Sequence, residues 1–148
     1  MSEDIIGATF PIPKPLIGRI LDEHKNVFVK PATLTKLEKG MKIIFYASRE
    51  EQGFYGEAEI EKVEFFENPM KILEKYKDEM FLTEEEFKEY IDSSKKWGYG
   101  RKKKKPWMVI VLKNIKKYSK VVKPKRFITV GGRYVKEKEY KEILNRAI

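Results

Sequence analysis

Between positions 97 and 107 the chain reads Trp-Gly-Tyr-Gly-Arg-Lys-Lys-Lys-Lys-Pro-Trp, a polar stretch punctuated by glycine. Its successive cations, Arg101, Lys102, Lys103, Lys104 and Lys105, could neutralise several phosphates of a polyanion. Trp97, Tyr99 and Trp107 carry ring faces on which exposed bases stack, at roughly 1–3 kcal/mol each, and Gly98 and Gly100 let a backbone approach closely. Trp107 suits a hydrophobic core better still, and a solvated lysine loop would explain the charges without a ligand. A second basic set, Lys116, Lys117, Lys120, Lys123, Lys125 and Arg126, surrounds a connection containing Pro124. Alone it is an ordinary charged loop; beside the first it extends a positive track. Gly131-Gly132-Arg133 offers backbone amides and a guanidinium, but a hairpin turn explains the two glycines better.

Other chemistry is thinly provided for. The chain has no cysteine and one histidine, which removes disulfides, thiolate nucleophiles and any ordinary zinc site. His24 falls near an expected helix end, where interaction with the terminal carbonyls accounts for it. No Ser/His/Asp set and no phosphate-binding glycine loop stands out, so neither a metal nor a cofactor is expected. The net charge of +9 is distributed unevenly: residues 1–94 hold 13 basic and 20 acidic side chains, residues 95–148 hold 19 and 3. The last third is therefore suited to a polyanion. The start of the chain is acidic and no apolar run nears the ~20 residues that span a bilayer, so no membrane partner and a cytoplasmic address are expected. Abundant Lys and Glu with a single Gln fit the ion-pair-rich surface of a thermophile.

Something must hold these groups in place. A chain of 148 residues is the size of one domain, here taken as residues 1–148. Hydrophobic residues make up 41%, so the charged fraction of 37% signals a charged skin and not disorder. Residues 5–10 read as a strand ended by Pro11, Pro13 and Pro15, which lead into a helix with Leu16, Ile17, Ile20 and Leu21 on one face. Residues 26–30 and 41–48 read as strands, the second with a run, Ile43 to Ala47, typical of burial on both faces. In 55–66, Ala58, Ile60, Val63 and Phe65 point inward and Glu57, Glu59 and Glu61 outward, which requires a bulge near Glu61 and Lys62. Asn68-Pro69 starts one helix; Thr83 with Glu86 forms the capping box of another, stapled by Leu82 and Phe87. Strands at 107–115 and 126–130 and a helix from Lys136 complete the order β, α, β, β, β, α, α, β, β, α. Connections this short demand a mixed or antiparallel sheet, and five or six short strands close most economically as a small barrel.

Three stretches then carry a resemblance: Ile12-Pro-Lys-Pro-Leu-Ile-Gly-Arg-Ile-Leu with the following Lys25, Leu37-Glu-Lys-Gly-Met-Lys-Ile-Ile-Phe-Tyr-Ala-Ser48, and Gly56-Glu-Ala-Glu-Ile-Glu-Lys-Val63. With the late strand at 107–115 they resemble the PUA-like superfamily in its ASCH and EVE-type branches, and an archaeal family of uncharacterised proteins within it. The resemblance implies an α+β fold, a small pseudo-β-barrel with peripheral helices, and a cleft beside the barrel that accepts RNA or a modified base. It also implies that Lys25, Lys30, Tyr46 and Ser48 face that cleft, Tyr46 to stack and Ser48 to hydrogen-bond a base edge; core packing explains Tyr46 equally well. Some ASCH relatives are amidohydrolases of acylated nucleosides that use a Lys, a Thr three residues later and a distant Glu. Lys25 fits the first and Glu79 the last, but the nucleophile position holds Phe28, and Thr33 or Thr35 would have to serve from elsewhere. The expected function is thus a non-catalytic RNA-binding module, with a small nucleoside-like ligand as the cleft's occupant. The alternatives are that hydrolase and a protein-interaction domain using the acidic face of residues 57–67.

Overall fold

Pro13, extended at φ −57° and ψ 138°, separates the first strand, β1 (Ile5–Ile12), from the first helix, α1 (Lys14–Leu21), which carries a proline in its opening turn. The computed structural model describes residues 5–32, 34, 36–48, 52–97, 106–124, 128 and 132–147. After α1 come β2 (Val27–Pro31), β3 (Lys42–Ala47) and β4 (Gly53–Phe66), then α2 (Met70–Tyr76), α3 (Glu84–Trp97), β5 (Trp107–Val122), β6 (Arg133–Lys136) and α4 (Glu137–Ala147). Up to β5, and again at α4, this is the expected order of elements. The mixed sheet runs β2-β5-β4-β3-β1-β6, with β1 and β3 parallel and the other neighbours antiparallel.

The helix ends follow local chemistry. At the end of α1 the Lys25 amide donates to the Arg19 carbonyl at 3.0 Å, a wrap that places His24 in the left-handed region at φ 57°. His24 thus serves through its backbone. Asn68 caps α2 by accepting from the Met70 amide at 3.0 Å. In α3 the capping box is reciprocal: Glu86 accepts from the Thr83 amide at 2.8 Å, and the Thr83 hydroxyl accepts from the Glu86 amide at 3.2 Å. Among the described residues no helix is long and apolar enough to cross a membrane.

The sheet is bent by its two long strands. The β4–β5 ladder shifts register at three points, one of them between Ile60 and Lys62, where the alternation of β4 required an extra residue. The curl brings β1 and β2, which are not ladder neighbours, face to face: the rings of Phe10 and Phe28 stack at 5.6 Å and 29°. The result is a curled sheet that does not close into a barrel. Its interior holds the larger apolar cluster, including Phe10, Phe28, Phe45 and Ile60, roofed by α1 and α3. A smaller cluster lies on the other face beneath α4, with Ile44, Tyr46, Tyr118 and Ile143. Residues of β3 alternate between the two clusters, which is why Ile43 to Ala47 are all buried.

Several expectations are corrected. β5 continues past Ile115 to Val122, so Lys116, Lys117 and Lys120 lie on a strand and not in a connection. Asn114 at φ 52° breaks the alternation, and beyond it the buried positions are Tyr118 and Val122, too sparse to read as a strand. Glu57 does not point to solvent; it is 4% exposed, because the face opposite the main core is covered by α4. Phe65 is 49% exposed, and Phe66 packs on the core in its stead. The last strand is β6; of the strand expected at 126–130, only residue 128 is described. As expected, Trp107 is a core residue, met edge-on by Phe87 at 5.4 Å and Tyr90 at 5.2 Å.

Candidate nucleic-acid interface

At the C-terminal ends of β1, β2 and β3 the curled sheet leaves a cleft of about 860 Å³, walled on one side by α3. Its floor is aromatic: Phe28 lies between Phe10 and Phe81, with ring centroids 5.6 Å and 5.0 Å away. Gly132, at φ 78°, lies against the back of this floor, where a β-carbon would run into the Phe10 ring and the Thr9 carbonyl. Lys30 also lines the cleft, 7% exposed, its ammonium 4.6 Å above the Phe10 ring and donating to the Pro31 carbonyl at 3.2 Å. Tyr46 and Ser48 stand on the β3 side, and Gln52 donates to the Ser48 carbonyl at 3.1 Å. Tyr90 faces the cleft from α3; burial pushes its phenol up to about 12, so it stays a neutral hydroxyl at pH 7.

The α3 wall is clamped by Arg19 of α1. Its guanidinium grips both carboxylate oxygens of Glu86 and donates to the Phe81 carbonyl at 3.1 Å, so one side chain holds a cleft wall and part of its floor. The Arg19 hydrogen bond and then the Thr83 amide hold the Glu86 carboxyl down to about 2, against burial acting the other way. A folded-state value below the ordinary 4.5 means that the stability gained is fully present above about pH 4.5 and is lost as the pH falls through about 2. Glu86 is 36% exposed, so solvent screens much of the gain. Arg19→Gln is therefore expected to lower the melting temperature at pH 7, and the gap from the unaltered protein should narrow between pH 4.5 and 2. Melts that keep a constant gap across that range would show that the clamp does not act through Glu86.

Of the residues singled out in the sequence, Lys30, Tyr46 and Ser48 line one cleft, and Lys25 does not. The Lys25 ammonium donates to the Asp78 carbonyl at 3.0 Å, at the corner where the Val27 amide donates to the Glu79 carbonyl. Phe28, at the position of the nucleophile in the hydrolase resemblance, is packed inside the floor. The strand β5 that carries Lys116, Lys117 and Lys120 is the ladder neighbour of the acidic β4, with Glu57 opposite Lys116 and Glu59 opposite Lys113. Lys113 meets Glu59 at 3.2 Å and Lys117 meets Asp22 at 3.0 Å. Lys123 is exposed, and its carbonyl accepts from Arg146 at 3.0 Å. Tyr99, Arg101 to Lys105, Arg126, Thr33, Thr35 and the side chain of Trp97 lie outside the described residues.

Phe10, Phe81, Glu89 and Ile128 also line the cleft, and nothing in the sequence marked them. Phe10 precedes the proline run and Phe81 precedes the capping box; only the curl of the sheet brings them together.

A mixed, curled sheet with helices over it and a cleft at its strand ends is the fold of ASCH domains. The ASCH protein of Zymomonas mobilis superposes with a TM-score of 0.77 at 14% identity, over 96% of each chain. A point variant of it reaches 0.79 at 15% identity, over 99% of this chain and all of that one. The N-terminal domain of Staphylothermus marinus McrB is more distant, at 0.57 and 18% identity over 99% and 98% of the two chains. The chain belongs to the family described as Domain of unknown function (DUF365), whose profile matches residues 5–137. An uncharacterized protein of the archaeon Methanocaldococcus jannaschii is 81% identical over 107 residues, 72% of this chain and 99% of that protein. The fold that the resemblance implied and the archaeal kinship read from the sequence both hold.

Proposed function

We propose that this protein binds single-stranded RNA, seating one base in the cleft while lysines 102–105 meet the phosphates. The observation that carries the reading is the cleft itself, an aromatic floor with polar groups at its margins, the usual construction of a site for a planar heterocycle. Chain connectivity supports it. The segment 98–105 leaves α3 close after Ser93, a cleft residue. It rejoins the fold at Pro106, whose carbonyl accepts from the Ala32 amide at 2.9 Å, two residues beyond Lys30. Lys125 and Arg126 likewise stand just before Ile128, which also lines the cleft. Phosphates contribute affinity and the cleft contributes selectivity.

A gel shift against salt concentration tests this. For single strands the slope of log K on log salt is about −0.7 per phosphate contacted, so converting Lys102, Lys103, Lys104 and Lys105 to Ala should reduce the slope by roughly three. Binding that ignores both salt and those four lysines would sink the proposal.

A further inference from the structure

We infer that Lys30 is a specificity-determining residue, its ammonium reading a carbonyl oxygen of the base in the cleft, so that keto-bearing bases are preferred over adenine. The inference rests on the cleft being a base site and adds which base class it takes.

Four successive positions of β2, Val27, Phe28, Val29 and Lys30, are buried, and three of them are apolar. The fourth is a lysine at 7% exposure. Burying an ammonium is costly, and a lysine stem is long enough to carry its charge out to water when nothing holds it inside. Here the charge stays in, over the Phe10 ring and against the Pro31 carbonyl, as part of the cleft wall. Methionine or leucine would supply the same volume without a charge. A lysine here adds a charged donor to the cleft wall that an apolar side chain of the same volume would not.

The sign of a ligand there follows from the other ionisable groups lining the cleft. Among the described residues the charged ones are Glu86, already held by Arg19, and Glu89, while Tyr46 and Tyr90 are neutral phenols. Among the described residues, one cation, one carboxylate matched by its own arginine and one further carboxylate leave no excess positive charge to hold a phosphate or carboxylate at the floor. A neutral ligand fits. An ammonium has three donors and no acceptor, so it gains nothing from an exocyclic amine, and among the acceptors of the bases it favours the carbonyl oxygen, the most electronegative, over ring nitrogen. Uracil, cytosine and guanine each present a carbonyl oxygen; adenine presents ring nitrogens and an amine.

Titration with uridine, cytidine, guanosine and adenosine, followed by intrinsic fluorescence, tests this without phosphates and hence without the lysine segment. A hydrogen bond from a charged donor corresponds to about 10- to 100-fold in affinity. The three keto nucleosides should bind tighter than adenosine by that factor. Lys30→Met should erase the difference while keeping or raising the melting temperature, since a buried charge is replaced by an apolar side chain of similar volume. Lys30→Gln, which keeps a weaker donor, should fall between. Equal binding of adenosine by the unaltered protein, no binding of any nucleoside, or a preference surviving in Lys30→Met would each overturn the inference, the first two without any variant. Gel shifts of oligo-A and oligo-U separate it from the RNA reading. Equal, salt-dependent shifts would leave RNA binding standing and remove the role of Lys30, whereas nucleoside selectivity without any shift would do the reverse.

Discussion

Phe28→Ala is expected to lower the unfolding free energy by about 3–5 kcal/mol, the range for removing a fully packed phenylalanine ring. The ring is 4% exposed and in contact on both sides, with Phe10 across the curl of the sheet and with Phe81 at the foot of α3. Phe10 is itself 1% exposed, packed beside Gly132 and under the Lys30 ammonium. Phe81 is tied by its carbonyl to Arg19. A site whose neighbours are held in this way collapses little, which places the cost toward the upper end. Phe28→Leu, which keeps most of the volume, should cost well under half as much. Denaturant titration measures both, and the alanine variant should also lose nucleoside binding, since its cleft has lost the centre of its floor. A cost below about 1 kcal/mol for Phe28→Ala would show that the three rings do not form a packed unit.

Glu57→Ala carries the second-largest expected effect, a loss of about 2–4 kcal/mol. Both carboxylate oxygens are used: Tyr118 donates to one at 3.2 Å and Tyr140 to the other at 2.5 Å, with the Lys42 ammonium 3.9 Å away. Burial first, and then the neighbouring Glu57, push the Tyr118 phenol far up, so it is a hydroxyl donor at any working pH. Removing the acceptor strands a buried donor under α4, and an unsatisfied buried donor costs more than the bond it made. Tyr118→Phe should cost less, because Glu57 keeps Tyr140 and Lys42. Combined with Glu57→Ala, it should recover part of the loss, since no stranded hydroxyl remains at that position. Strict additivity in this double-mutant cycle would show that the two groups are not coupled. These contacts also change the meaning of the acidic stretch 57–67: Glu57 belongs to the second core, and Glu59 and Glu64 are engaged by Lys113 and Lys75. It is less of a docking face than its composition suggests.

The charge segregation so prominent in the sequence divides in the same way. Part of it is cross-strand pairing, since the acidic β4 and the basic β5 are ladder neighbours. Much of the remaining positive charge in the sequence falls in segments 98–105 and 123–126, near the chain positions of the cleft residues Ser93 and Ile128.

The sequence by itself determined what depends on neighbours a few positions away. Prolines at 13 and 15, the Thr83–Glu86 box and the Asn68 cap set helix starts, because capping groups act within one turn. The run Ile43 to Ala47 declared a strand buried on both faces, and the broken alternation after Ile60 declared a bulge, because both are rules of period two. The order of elements up to β5, and the helix α4, followed from such signals. Only the tertiary structure decided which faces meet. The length of β5 is set by a ladder partner some 60 residues earlier in the chain. Glu57 is inward because α4 covers that face, and Glu86 gains Arg19 from 67 residues away. The cleft joins Phe10, Phe28, Lys30 and Phe81, from β1, β2 and the approach to α3, because bulged strands curl the sheet until its ends confront each other. That curl is a sum over the whole ladder, and no short stretch of sequence carries it.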